Sequence, residues 1–158
     1  MQVQVDELKE ILMRELDCID SLLTIMHNKH RAILENDYDG ILYWVGKCEE
    51  VSSKMADEEE KRKIVTVKIA EKLGISPDDL KLSLILEHIE DQELSELRKT
   101  LLKKLLLLRE INERNAFLVL NGLNFVRDMF KLFIQEEQEI YSKDGKTTKQ
   151  RQILEGKA

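Results

Sequence analysis

From Asp6 to about Asn36 the apolar residues Leu8, Ile11, Leu12, Ile19, Leu22, Leu23, Met26 and Ile33 recur at spacings of three and four between charged neighbours. This is the period of one amphipathic helix, predicted over residues 6–36. The run Asn36-Asp37-Tyr38-Asp39-Gly40 then gathers turn and cap residues, with Asp37 placed as an N-cap, so a tight reversal should make the first two helices antiparallel. A second helix is expected over 38–73 through Ile41, Leu42, Val45, Cys48, Val51, Met55, Ile64, Val67 and Ile69, with a charged middle at 56–63. Gly74 fits a left-handed C-terminal cap with Ile75 as its apolar contact. Ser76-Pro77-Asp78-Asp79 supplies an N-cap, a first-turn proline and early carboxylates for a short third helix over 77–89. Leu80, Leu82, Leu84, Ile85 and Leu86 make that segment too apolar to stand in solvent, and it should pack across the end of a bundle.

No proline interrupts residues 91–141, so a last helix of ~50 residues, ~75 Å long at 1.5 Å per residue, is expected there. Steps of four and three from Leu101 trace a seam through Leu105, Leu108, Asn112, Asn115, Val119, Gly122, Val126, Met129 and Phe133. On this seam Asn112 and Asn115 form a buried register-setting layer or turn outward with supercoil drift, and Gly122 admits close approach of another helix. Residues 142–158 have little apolar content beyond Ile153 and Leu154 and read as a flexible basic tail. The tail carries five basic and two acidic residues, a charge of +3 that leaves −9 on residues 1–141.

Composition sharpens this outline. One proline and six glycines against 35% charged residues leave few places to break a helix. The expected fold is all-α: long antiparallel helices in a coiled-coil-like bundle of three to four helices over 1–141, followed by the tail. A net charge of −6 without a basic face in the bundle argues against nucleic-acid binding. No window approaches the ~18 uncharged apolar residues of a membrane span, and the first residues, MQVQVDELKE, do not resemble a secretory signal. Membrane insertion is not expected, and the cytoplasm is the expected compartment.

Candidate chemistry is sparse. Cys18 and Cys48 form no CxxC pair and read as buried free thiols. A hairpin reversing near residue 37 places Cys18 opposite about residue 56, too far along the helix for a bridge to Cys48. None of the three histidines completes a Glu-x-x-His pair, and His27 and His30 lie on a polar face, so no metal is expected. There is no HExxH, phosphate-binding glycine loop, GxSxG elbow or CxxCH, hence no enzyme and no cofactor. The aromatic residues carry more information, because Phe117, Phe125, Phe130, Phe133 and Tyr141 all fall in the last helix. With Met129 and Ile134 they span a wider arc than one packed seam covers, which marks the late helix as a surface for a partner helix.

Several stretches resemble the FlgN family of flagellar export chaperones. They are Leu108-Arg109-Glu110-Ile111-Asn112-Glu113-Arg114-Asn115 with Leu118, Leu120 and Phe125, and the closing Tyr141-Ser142-Lys143-Asp144-Gly145. Looser matches are Ala32-Ile33-Leu34-Glu35-Asn36-Asp37 and Glu59-Glu60-Lys61-Arg62 before the Leu73-Gly74 break. The resemblance covers nearly the whole chain. It implies a cytosolic chaperone that binds the hook-filament junction proteins FlgK and FlgL, prevents their early assembly and delivers them to the flagellar export apparatus. It also implies capture by the C-terminal region. Joined to the aromatic arc, that gives the partner-binding set Phe125, Met129, Phe130, Phe133, Ile134, Tyr141, Gly145, Ile153 and Leu154. A monomer or weak homodimer leaves this surface free. A structural coiled-coil adaptor, with the stripe closed in a permanent dimer, is the alternative.

Overall fold

The computed structural model describes residues 1–155, with side chains described through Gly122 and, beyond it, at positions 124, 127–129, 131, 132 and 142. The last three residues of the expected tail lie outside the described residues. The chain forms α1 (Gln2–Leu34), α2 (Tyr38–Leu73), α3 (Leu82–His88) and α4 (Gln92–Glu155). It divides into two units, Met1–Ala116 and Phe117–Ala158.

Backbone caps set the turns of the first unit. At the end of α1, Asn36 adopts a left-handed conformation with φ 54°. Its amide donates to the Ile33 carbonyl, and the Asp37 amide donates to the Ala32 carbonyl. This is a Schellman closure with asparagine in the role usually taken by glycine. Asp37 then caps α2 by accepting from the Gly40 amide at 3.0 Å, as its position in the sequence predicts. The same closure ends α2 at Gly74, φ 67°, with the Ile75 amide donating to the Ala70 carbonyl. The third helix starts later than the sequence suggests. Asp79 and Leu80 donate to the Ser76 and Pro77 carbonyls in a separate turn, Lys81 is extended, and α3 begins at Leu82. α1 in turn starts earlier, at Gln2, because Val5 belongs to the core and extends the helical period by one turn.

Side-chain bonds fix the directions of the long helices. Lys72 donates to Gln4, Arg62 to Glu15 and Arg14 to Glu58, so residue numbers fall along α2 as they rise along α1. The two helices are antiparallel. Toward α4 the numbers rise together: Lys9 pairs with Asp91 and Glu93, each at 3.0 Å, Asp20 with Lys104, and the Met26 carbonyl with Asn115. α4 therefore runs parallel to α1. The core between them joins Val5, Leu8, Ile11, Leu12 and Ile19 of α1, Val65 and Ile69 of α2, Ile85 of α3, and Leu94 and Leu101 of α4. Each such side chain contributes about 1.5–3 kcal/mol through loss of water-exposed area. α3 lies over one end of this core, with Leu80, Leu82, Leu86 and Ile89 packed around Ile85.

Two seams differ from those read in the sequence. On α2 the buried residues are Val65, Ile69 and Ala70, whereas Ile64 and Val67 are exposed. Val65 and Ile69 share one face by their four-residue step, and the other two lie about a third of a turn or more away. Between residues 101 and 118 of α4 the buried and half-buried positions are Leu101, Lys104, Leu108, Ile111, Asn115 and Leu118, a sequence of three-then-four steps. Leu105, Asn112 and Val119 of the predicted seam are exposed. Either phase looks apolar in a run as leucine-rich as Leu105–Leu108, and the polar anchors to α1 select the observed one. Among the described residues nothing lies within 4 Å of a Cβ built on Gly122, so the close approach predicted there has no partner among them. Helical backbone in α4 continues past Tyr141 to Glu155, since Lys, Gln and Arg propagate a helix and Gly145 alone does not end one.

Asn115 is the buried polar residue of this seam, 1% exposed. Its Nδ2 donates to the Met26 carbonyl at 3.1 Å, and its Oδ1 lies 2.7 Å from His30 Nδ1. A carbonyl can only accept, so the amide nitrogen must face Met26 and Oδ1 must accept from His30. His30 therefore carries its proton on Nδ1. Asn115→Ala should lower unfolding free energy in urea by about 1–3 kcal/mol, because it strips the partner from a part-buried imidazole. Nitrogen-detected NMR of the unaltered chain should show the Nδ1–H tautomer at His30.

Asp91 starts α4 by accepting from the Leu94 amide at 2.9 Å while pairing with Lys9. The amide bond first, then the ammonium, holds its carboxyl below the usual carboxylate range. A depressed carboxylate stabilises the fold at neutral pH, and that contribution is lost as pH falls through the folded value. Asp91→Ala should cost about 1–2 kcal/mol in urea unfolding at pH 7. Asp91→Asn, which keeps the cap, should lose less stability than the unaltered protein on acidification below pH ~4.

Candidate partner-binding site

All nine residues expected to bind a partner stand on α4 in the second unit. Met129 is 41% exposed there. The side chains of Phe125, Phe130, Phe133, Ile134, Tyr141, Ile153 and Leu154 are outside the described set, as is the environment of Gly145. By position on the helix, 125, 129 and 133 follow four-residue steps along one face. Positions 130, 134, 141 and 145 follow steps of four and seven along a second. Apart from the half-buried Leu118, the large apolar side chains described in the same unit are open to solvent: Phe117, Val119, Leu120 and Leu132 are each more than 40% exposed, like Met129. Exposed large side chains at such density on one helix form an open apolar surface rather than a core face.

The first unit carries a feature the aromatic count did not reveal. A cleft of about 230 Å³ opens over α1 between α2 and α4, lined by Leu12, Glu15 and Ile19, by Met55 and Arg62, by Leu82, and by Arg98, Leu101, Leu102 and Leu105. Its floor is core: Leu12 and Ile19 are almost fully buried. Glu15, 4% exposed, occupies a core position of α1 and accepts from Arg62 Nε at 2.8 Å. On the α4 wall, Leu102 and Leu105 are 47% and 43% exposed. Arg98 beside them is half-buried and has neither an ion-pair nor a hydrogen-bond partner among the described residues. The sequence did hold a signal for this cleft. Four consecutive leucines, Leu105–Leu108, advance 100° each and cannot all face one seam, so some must be presented elsewhere.

A second, polar cleft is lined by Arg14, Asp17, Cys18, Lys54, Asp57, Glu58 and Lys61. Here charges satisfy one another. Glu58 accepts from Lys61 at 2.6 Å and from Arg14 at 2.8 Å, and these bonds hold its carboxyl below the usual range while raising the Arg14 guanidinium. Burial, reinforced by Glu58, pushes the Cys18 thiol up, which leaves it protonated and a poor nucleophile. Cys18 lies beside Lys54, Asp57 and Glu58, close to the α2 position predicted to face it, and both cysteines are free and half-buried. Among the described residues no three His, Cys, Asp or Glu side chains cluster as metal ligands do, and no described helix is long and apolar enough to cross a membrane.

The geometry is that of a helical bundle whose chemistry is surface chemistry: apolar side chains left open, and a cleft with a cation that has no partner among the described residues. Comparison with known proteins agrees with this character. Residues 1–149 match the family model described as FlgN protein. No curated protein and no solved structure matches the chain. A match over nearly the full length shows that the chain belongs to the FlgN family, a family of flagellar export chaperones.

Proposed function

We propose that this protein is a cytoplasmic export chaperone for the hook-filament junction proteins FlgK and FlgL, holding their helical terminal segments apart until delivery to the export gate. The observation that carries the reading is the exposed apolar surface on the second unit of α4, Phe117, Leu120, Met129 and Leu132, in a member of a chaperone family. Such a stripe accepts an amphipathic cargo segment as an added helix, burying apolar faces that would otherwise drive the cargo to self-associate. In this reading Phe125, Phe130, Phe133, Ile134 and Tyr141 complete the capture surface, and residues 142–158, with Gly145, Ile153 and Leu154, engage cargo as well.

Titration calorimetry against the C-terminal helical segment of a junction protein tests this. The intact chain should bind at micromolar affinity or tighter. Truncation after Tyr141 should weaken binding, and Phe130→Ala and Phe133→Asp should each reduce affinity about ten-fold or more while circular dichroism stays unchanged. Absence of binding by the intact chain, together with an obligate dimer in light scattering, would instead identify a structural adaptor whose stripe is a permanent interface.

A further inference from the structure

The cleft of the first unit has the form of a place left for another helix. α2 and α4 both pack on α1, and the space between them has the buried Leu12 and Ile19 at its floor and Met55, Leu101, Leu102 and Leu105 on its walls. Its lining runs from residue 12 to 19 on α1 and from 98 to 105 on α4, in each case about 10 Å or two helical turns. That length admits two successive ridge side chains of an inserted helix. At one helix width of about 10 Å, such a patch covers on the order of 100 Å², far short of the ~800 Å² per partner of a stable dimer, so a second copy of this chain is a poor occupant.

Charge narrows the partner further. Arg62 is paired with Glu15 at the cleft floor, whereas Arg98 stands half-buried on the leucine-lined wall with no ion-pair or hydrogen-bond partner among the described residues. A guanidinium in that position gains most from a carboxylate, which it can hold through two parallel N–H donors. We propose that the cleft between α2 and α4 is a second docking site, seating two turns of a cargo helix whose apolar residues enter between Met55 and Leu105 and whose carboxylate meets Arg98. The proposal rests on the chaperone reading and adds to it a contact in the first unit, distinct from the aromatic stripe of the second. Two separated contacts along a cargo segment raise its effective concentration at each, so neither needs to be tight alone.

The test uses the full-length chain and a synthetic peptide of the C-terminal helical segment of a hook-junction protein. Leu105→Asp and Arg98→Glu alter exposed or half-buried wall residues and should leave circular dichroism and thermal unfolding unchanged. Each should weaken the peptide about ten-fold, Arg98→Lys should weaken it less than Arg98→Glu, and the Met55 methyl resonance of the unaltered chain should shift on titration. If the peptide binds but both cleft variants bind it as the unaltered chain does, the cleft is not a docking site and the chaperone reading stands. If the unaltered chain binds no peptide, the chaperone reading falls and the cleft proposal with it. If light scattering without peptide shows a dimer that Leu105→Asp dissociates, the occupant is a second copy and the proposal is overturned.

Discussion

α1 must pack against two long helices at once, and the rest of the first unit follows from how it does so. A single apolar stripe would serve one neighbour. α1 instead buries Val5, Leu8, Leu12 and Ile19 together with Ile11, Leu22, Ile25 and Met26, a band broad enough for α2 on one flank and α4 on the other. Such a band gives little resistance to sliding, because leucines and isoleucines interchange readily between registers. Polar anchors remove that freedom. Lys9 holds the start of α4 through Asp91 and Glu93, Lys104 meets Asp20 midway, and Asn115 closes on the Met26 carbonyl and His30. A shift by one turn would break all of them and leave Asn115 buried without partners, which is costly in a low-dielectric interior.

The same arrangement explains the cleft. α4 is tied to α1 at its start and again at Asp20 and Met26, and α2 is tied to α1 through Gln4, Arg14 and Glu15. Between α2 and α4 the lining is apolar except for Glu15, Arg62 and Arg98, and the packed core gives way to open space at Leu102 and Leu105. Three long helices around a broad central face leave one side uncovered.

Much of this was legible along the chain. Helix and strand periods differ too much to be confused over thirty residues, so α1 and α2 appear in the sequence with nearly correct limits. Asp37 and Gly74 announce a cap and a stop through local chemistry alone, without reference to any other part of the fold. The run Asn36-Asp37 announces a turn, and the structure adds that Asn36 takes the left-handed position. Ser76-Pro77-Asp78-Asp79 has the pattern of a helix's first turn, because an N-cap followed by proline usually opens one. Here the turn closes on itself, and α3 forms only where Leu82 and Ile85 can reach the core.

The sequence by itself determined that the chain is helical, where its reversals fall, that it lacks recognisable catalytic motifs, and which family it resembles. These depend on residue period, cap chemistry and short motifs, all of which act within a few neighbours. Tertiary structure decided the phase of each seam: Val65 and Ile69 over Ile64 and Val67, and Ile111 and Asn115 over Leu105 and Asn112. Where apolar residues exceed what one face can bury, composition cannot say which are spent on the core. That choice is made by the polar bonds to another helix, Asn115 to Met26 and Lys104 to Asp20, whose partners lie more than eighty residues away in the chain.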